Sequence, residues 1–202
     1  VLIVGGGDGG ALREALKHPI EEVYLVDIDK EAVGIFKKYL SFVSQQAFKD
    51  KRVKIFFRDG VKFIKDFQDY FDLIIIDSND PIGPSLQLFS SQFYGHILKA
   101  LKKDGMMVTL IGSFLDFEGT IKKTCDRIKK SFPIIQLYRV AIPSYHCGDF
   151  CFIGASKNKN LLRVDFKTIE KRFKKINKKN NFKYYNPDIH KASMILPVSW
   201  QV

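Results

Sequence analysis

The chain has 202 residues, 46% of them hydrophobic, 27% charged and 13% aromatic, which gives material for a sizeable core and excludes a disordered tail, a collagen-like repeat and a disulfide scaffold. A length of this order allows one domain, two at most. The net charge of +11 invites a nucleic-acid reading, yet residues 157–183 hold eleven Lys or Arg against two acids while residues 1–156 hold 21 against 19, so the basicity is local.

No apolar run approaches the roughly 18 residues a membrane helix needs, and no leader-like segment opens the chain. The expectation is a cytoplasmic protein with no membrane contact. Cys125, Cys147 and Cys151 are an odd number without ligand-like spacing, which predicts reduced thiols and no metal site.

In chain order, an apolar strand over residues 1–4 runs into Gly5-Gly6-Gly7-Asp8-Gly9-Gly10 and a helix that ends near His18-Pro19. A domain seldom begins in mid-core, so a further segment is expected to precede this strand. Strand and helix patterns then alternate: strand 22–26 with helix 31–43, strand 53–57 with helix 61–67, strand 73–76 with helix 90–101, strand 106–111 with helix 118–131. Such alternation means a doubly wound α/β fold with a mostly parallel sheet covered on both faces. Residues 135–142 and 150–155 follow with only a loop between them and read as an antiparallel hairpin at the sheet edge. A basic helix over 165–178 is predicted as a lysine-coated, solvated face.

The glycine run follows a strand and opens a helix, the context in which Gly5, Gly7 and Gly10 suggest a nucleotide site. Asp8 lies inside that turn, where a pyrophosphate would be repelled, so the ligand there is neutral or cationic. Asp27 stands 17 residues after Gly10 at the end of the second strand, near the offset at which a carboxylate accepts from ribose hydroxyls. Asp29 suits the cap of the next helix. Asp59-Gly60 ends the third strand, where acid and amide could meet an adenine. Each acid alone could be a mere helix cap; three on one sheet edge point to a ligand. Asp77 and Asp80, three residues apart in Asp77-Ser78-Asn79-Asp80-Pro81-Ile82-Gly83-Pro84, make a cation receptor in a proline-stiffened turn.

Together with 142–145, 155–157, 183–186, 190–192 and 196–197, these motifs resemble the polyamine aminopropyltransferases, the spermidine synthase family. The resemblance implies a Rossmann-like fold of the class I S-adenosylmethionine-dependent transferase type over residues 1–202, with a small N-terminal β domain additional to it. It further implies transfer of a propylamine group from decarboxylated S-adenosylmethionine, a co-substrate and no permanent cofactor, to putrescine, giving spermidine and methylthioadenosine. On this carry-over Gly5, Gly7, Asp27 with Ile28, Asp59, Gly60 and Pro84 bind the nucleoside. Asp8 holds the aminopropyl amine, Asp77 accepts the proton, Asp80 is a second contact to the diamine, and Tyr145 positions the attacking nitrogen. His146-Cys147 departs from the family pattern after Tyr145 and leaves the acceptor open among putrescine, cadaverine, spermidine and agmatine. The family also implies a homodimer or homotetramer.

The readings that compete are a methyltransferase acting on a small molecule or RNA, and a non-catalytic nucleic-acid module built on the basic segment. Paired acids at Asp77 and Asp80 argue against the first, and sparse aromatic interleaving against the second. Phe114, Asp116, Phe117 and Glu118 could face the pocket or not. Tyr184, Tyr185 and Trp200 suit core or interface, and His18, His96 and His190 have no base-like setting.

Overall fold

The computed structural model describes residues 1–79, 83–145, 148–158 and 164–200; Asp80, His146, Cys147 and the side chain of Pro84 lie outside the described residues. Five strands run parallel. β1 (Leu2–Gly5) leads through α1 (Gly10–Leu16) to β2 (Val23–Asp27), and α2 (Lys30–Tyr39) with α3 (Ser41–Ser44) leads to β3 (Val53–Phe57). From there α4 (Gly60–Phe63) leads to β4 (Phe71–Asp77), and α5 (Ser91–Ala100) to β5 (Leu101–Ser113). After α6 (Lys122–Lys129) the chain adds the antiparallel pair β6 (Ile134–Ala141) and β7 (Asp149–Ser156), then α7 (Phe166–Asn180) and α8 (Pro187–Ser193).

The sheet order is β3-β2-β1-β4-β5-β7-β6, so the doubly wound reading and its antiparallel edge hairpin both hold, with β7 also antiparallel to β5. Strand periodicity divides the core. Leu2 and Val4, Tyr24 and Val26, Ile74 and Ile76 face a larger cluster with Phe93, Ile97 and Ile128; Ile3, Val23, Leu25 and Ile75 face a smaller one with Leu12 and Ala15. Full burial of such side chains contributes roughly 1.5–3 kcal/mol each, which fixes the register, because a slip of one residue would turn each of them to the wrong face. The order of strands reverses between β1 and β4, where Gly5 pairs with Asp77. Open α/β sheets bind ligands beyond the carboxyl ends of their strands at such a switch point.

Several boundaries depart from the sequence expectation. The helix expected over 31–43 breaks at Leu40, and the break carries Ser44 against Gly9 and brings the Val43 carbonyl to the Arg13 guanidinium. The helix expected over 61–67 is α4 followed by a tight turn at Ile64–Asp66. α6 is entered through one wide turn at Phe117–Ile121, which Asp116 caps through Thr120. β5 begins earlier than its hydrophobic run because Leu101 pairs with Phe71, with a register shift before Leu73. α8, which the hydrophobic pattern did not predict, carries its own start signal: Asn186 accepts from the Ile189 amide at 2.8 Å and Pro187 takes the first helical position.

Among the described residues no helix is long and apolar enough to cross a membrane. Cys125 and Cys151 are free and buried. Tyr184 is exposed rather than core, whereas Trp200 stacks on Phe114 with ring centroids 4.1 Å apart.

Candidate active site

The glycine turn is shaped by two carboxylates lying against it. Gly5, Gly6 and Gly9 have φ of 82°, 65° and 80°, a left-handed backbone that favours glycine. A Cβ on Gly6 would stand 2.9 Å from Asp77 Oδ2, and one on Gly7 would stand 2.6 Å from Asp27 Oδ2. Two consecutive glycines therefore seat two acids from different strands. The absence of side chains brings the acids inward as much as it clears a path for a ligand.

Asp8 Oδ1 accepts the Gly10 amide at 2.8 Å at the entrance to α1. Asp27 Oδ1 accepts the Asp29 amide at 2.9 Å, and Asp29 in turn accepts the Ala32 amide at 2.8 Å, the predicted cap of α2. Asp59 is a helix cap as well, accepting the Val61 amide at 2.8 Å through Oδ1. Gly60 is required by packing, since a Cβ there would lie 2.5 Å from Val4 Cγ1. In each of these acids one carboxylate oxygen is fixed by backbone.

Asp8, Asp27, Asp59 and Asp77 face one cavity of about 1080 Å³, enough for a nucleoside and a second small molecule together. Gly5, Gly7 and Gly60 form its floor, and Ile28 and Tyr145 stand on its walls. The described site residues thus converge on one place. Phe114, Asp116, Phe117 and Glu118 do not reach it: Phe114 and Phe117 pack in the core. Nor does any described residue of basic α7.

Within the cavity Asp77 has its carboxyl pushed above the usual carboxylate range, first by burial and then by the negative charges of Asp8 and Asp27. The contribution of Asp27 follows from the strand order, since the ends of β2 and β4 meet only with β1 between them.

Tyr145 sits on a short loop after β6, held by Ile142 N–H to the Gly148 carbonyl at 2.7 Å and Gly148 N–H to the Tyr145 carbonyl at 3.0 Å. Its ring leans on Phe150 with centroids 4.6 Å apart. Phe150 and Leu110 also line the cavity, as does Gln87, and none of them was picked out from the sequence. Leu110 lies toward the carboxyl end of β5, the same sheet edge as the acids, but an apolar side chain carries no charge pattern that marks it as a site residue.

Residues 1–168 match the family model for the spermine/spermidine synthase domain. The chain belongs to the spermine/spermidine synthase family. It is 40% identical over 198 residues to the polyamine aminopropyltransferase of Caldicellulosiruptor saccharolyticus, and equally so to that of Buchnera aphidicola subsp. Schizaphis graminum, covering 98% of this chain and 68% of each relative. These family members are transferases by name. Its fold superposes on a spermidine synthase in complex with the transition state analogue AdoDATO, with a TM-score of 0.87, 38% identity, and coverage of 97% of this chain and 66% of that one. The spermidine synthase from Thermotoga maritima gives 0.85 and 37%, with coverage of 97% and 65%. The chain therefore spans about two thirds of the length of its relatives. In this spermine/spermidine synthase domain the acids at the carboxyl ends of β1 to β4, Asp8, Asp27, Asp59 and Asp77, share one cavity.

Proposed function

We propose that this chain is the catalytic domain of a polyamine aminopropyltransferase that moves a propylamine group from decarboxylated S-adenosylmethionine to putrescine. The observation that carries the reading is the cluster of Asp8, Asp27 and Asp77 around one cavity, with the proton affinity of Asp77 raised. Both substrates are cations, and a locally negative pocket receives them whatever the charge of the rest of the chain.

A primary alkylamine has a pKa near ~10.4, so the nucleophile arrives as an inert ammonium. Its arrival beside Asp77 favours the ionised carboxylate, and Asp77 then takes the proton as the nitrogen lone pair bonds to the carbon next to sulfur. The carbon–sulfur bond breaks, its electron pair stays on sulfur, and the sulfonium leaves as the neutral thioether of methylthioadenosine. The sulfonium supplies the electrophile; the protein supplies alignment and proton removal.

In this reading Asp27 with Ile28 holds the ribose side, Asp59, Gly60 and Pro84 the adenine side, Gly5 and Gly7 the nucleoside's approach, and Asp8 the aminopropyl amine. Tyr145 and Asp80 position the diamine. The similarity to a spermidine synthase solved with the transition state analogue AdoDATO supports this reading of the cavity. A cytoplasmic location and a homodimer or homotetramer belong to the same proposal. Incubation of the full-length protein with decarboxylated S-adenosylmethionine and a panel of amines, with products identified by mass, tests it: spermidine from putrescine is expected, and methyl transfer or no product overturns it.

A further inference from the structure

Taken in the order of the sheet, the cavity rim runs Asp59 after β3, Asp27 on β2, Asp8 after β1, Asp77 on β4, then Leu110 on β5 and Phe150 on β7. The rim changes from carboxylate to hydrocarbon between β4 and β5. Ile76 pairs with Thr109, so the next step along both parallel strands sets Leu110 beside Asp77, on the same face of the sheet. Immediately beyond, the ladder shifts: Leu110 stands opposite Phe152 but Gly112 opposite Cys151, and Gly112 has φ of 137°. A bulge of this kind turns the strand away, and Leu110 is the one described residue of β5 on the cavity wall.

We propose that Leu110 is a specificity-determining residue which, with Phe150, walls a subsite for the hydrocarbon stem of the acceptor amine. This rests on the transfer reading above and names the feature of the substrate that the site selects. Once an ammonium is held at Asp77, carbons of the stem that lie against Leu110 and Phe150 meet side chains that offer no hydrogen-bond partner. A plain methylene chain loses nothing there, whereas a hydroxyl on that stem is stripped of water without compensation. The subsite therefore favours unsubstituted α,ω-diamines over hydroxylated ones.

The test compares putrescine with 1,4-diamino-2-butanol as acceptors in the full-length protein, in wild type and in Leu110→Asn, Leu110→Thr and Leu110→Met variants, with methylthioadenosine binding by calorimetry as the check on folding. Wild type and Leu110→Met are expected to prefer putrescine in kcat/KM by about 10- to 100-fold, and Leu110→Asn to compress that preference to about threefold or less. Leu110→Thr is expected to move the same way and decides the matter if the Asn variant does not bind methylthioadenosine. Equal use of both amines by wild type, or a ratio that Asn and Thr leave unmoved, overturns the role of Leu110 while leaving the transfer reading intact. Absence of product from every amine overturns the transfer reading itself.

Discussion

The main-chain carbonyl oxygen of Asp77 lies 2.0 Å from the point where a β-carbon on Gly5 would sit, and it accepts the Gly6 amide at 2.8 Å. The first strand and the fourth are thus locked together where the strand order reverses. Gly5→Ala would have to displace backbone and also hold an L side chain at φ of 82°. Strain of the second kind alone costs about 1–3 kcal/mol, so the expected total loss is about 3 kcal/mol or more. Urea denaturation measures it, and methylthioadenosine binding should fall with it.

Gly34 is the counter-case. It lies on the exposed side of α2, a Cβ there meets nothing within 4 Å, and its backbone is not left-handed. Gly34→Ala should therefore stabilise the chain by about 0.5–1 kcal/mol, because alanine loses less freedom in a helix. The same denaturation series checks it, and activity should not change.

Asp77→Asn separates catalysis from stability. In the proposed role of proton acceptor, its loss should lower kcat by about 10²–10⁴-fold with nucleoside binding retained. Its effect on stability has the opposite sign. A carboxyl whose folded pKa is raised favours the fold while protonated, and that advantage is lost as pH climbs through the raised value. At neutral pH the wild type holds a charge that burial, Asp8 and Asp27 all oppose, and the Asn variant does not. Its Tm should exceed that of wild type at pH 7, each kcal/mol relieved being worth about 2–4 °C in a chain of this size, and the gap should close at acid pH. Calorimetric scans across pH with a constant or reversed difference would contradict the burial of this charge.

Much of this arrangement was legible in the residues because two simple periodicities carry it. Runs such as 73–76 state a strand buried on both faces, and an acid directly after such a run can only lie at the rim. Asp27 and Asp77 end such strands, Asp59 follows edge strand β3 after Arg58, and Asp8 is marked by its oddity inside a glycine turn. What the sequence does not contain is adjacency. The meeting of Asp27 with Asp77 across Gly6 and Gly7 depends on β1 lying between β2 and β4; Leu110 joins the site because β5 lies beside β4, and Phe150 because β7 enters antiparallel beside β5. The break at Leu40 likewise serves a distant contact, Ser44 on Gly9, for which no local residue pattern is required.

The pH–rate profile follows from Asp77 as base. Only the ionised carboxylate accepts a proton, so kcat/KM should fall as pH drops through its pKa, and the fall should set in above the ordinary aspartate value near ~3.9 because burial and two like charges hold it up. Measurement of kcat/KM on the acid side, at saturating nucleoside, fixes the limb; a limb at or below the ordinary value would remove Asp77 from the role.

Asp27→Asn then tests whether the two acids act on each other or merely share a cavity. Asparagine keeps an oxygen for the Asp29 amide, so the turn into α2 stands. Two effects are expected, and they differ in kind. Loss of the charge-assisted bonds that the proposal gives Asp27 to the ribose hydroxyls should weaken methylthioadenosine binding by about 10- to 100-fold, since hydrogen bonds to charged groups are worth about 1.5–3 kcal/mol. Removal of one repelling charge should also move the acid limb of the rate profile to lower pH, because Asp77 then ionises more readily. A variant that binds nucleoside weakly but keeps its acid limb in place would mean that Asp27 serves the ribose alone; a limb that moves makes the pair, joined across the glycine turn, the unit that sets the base.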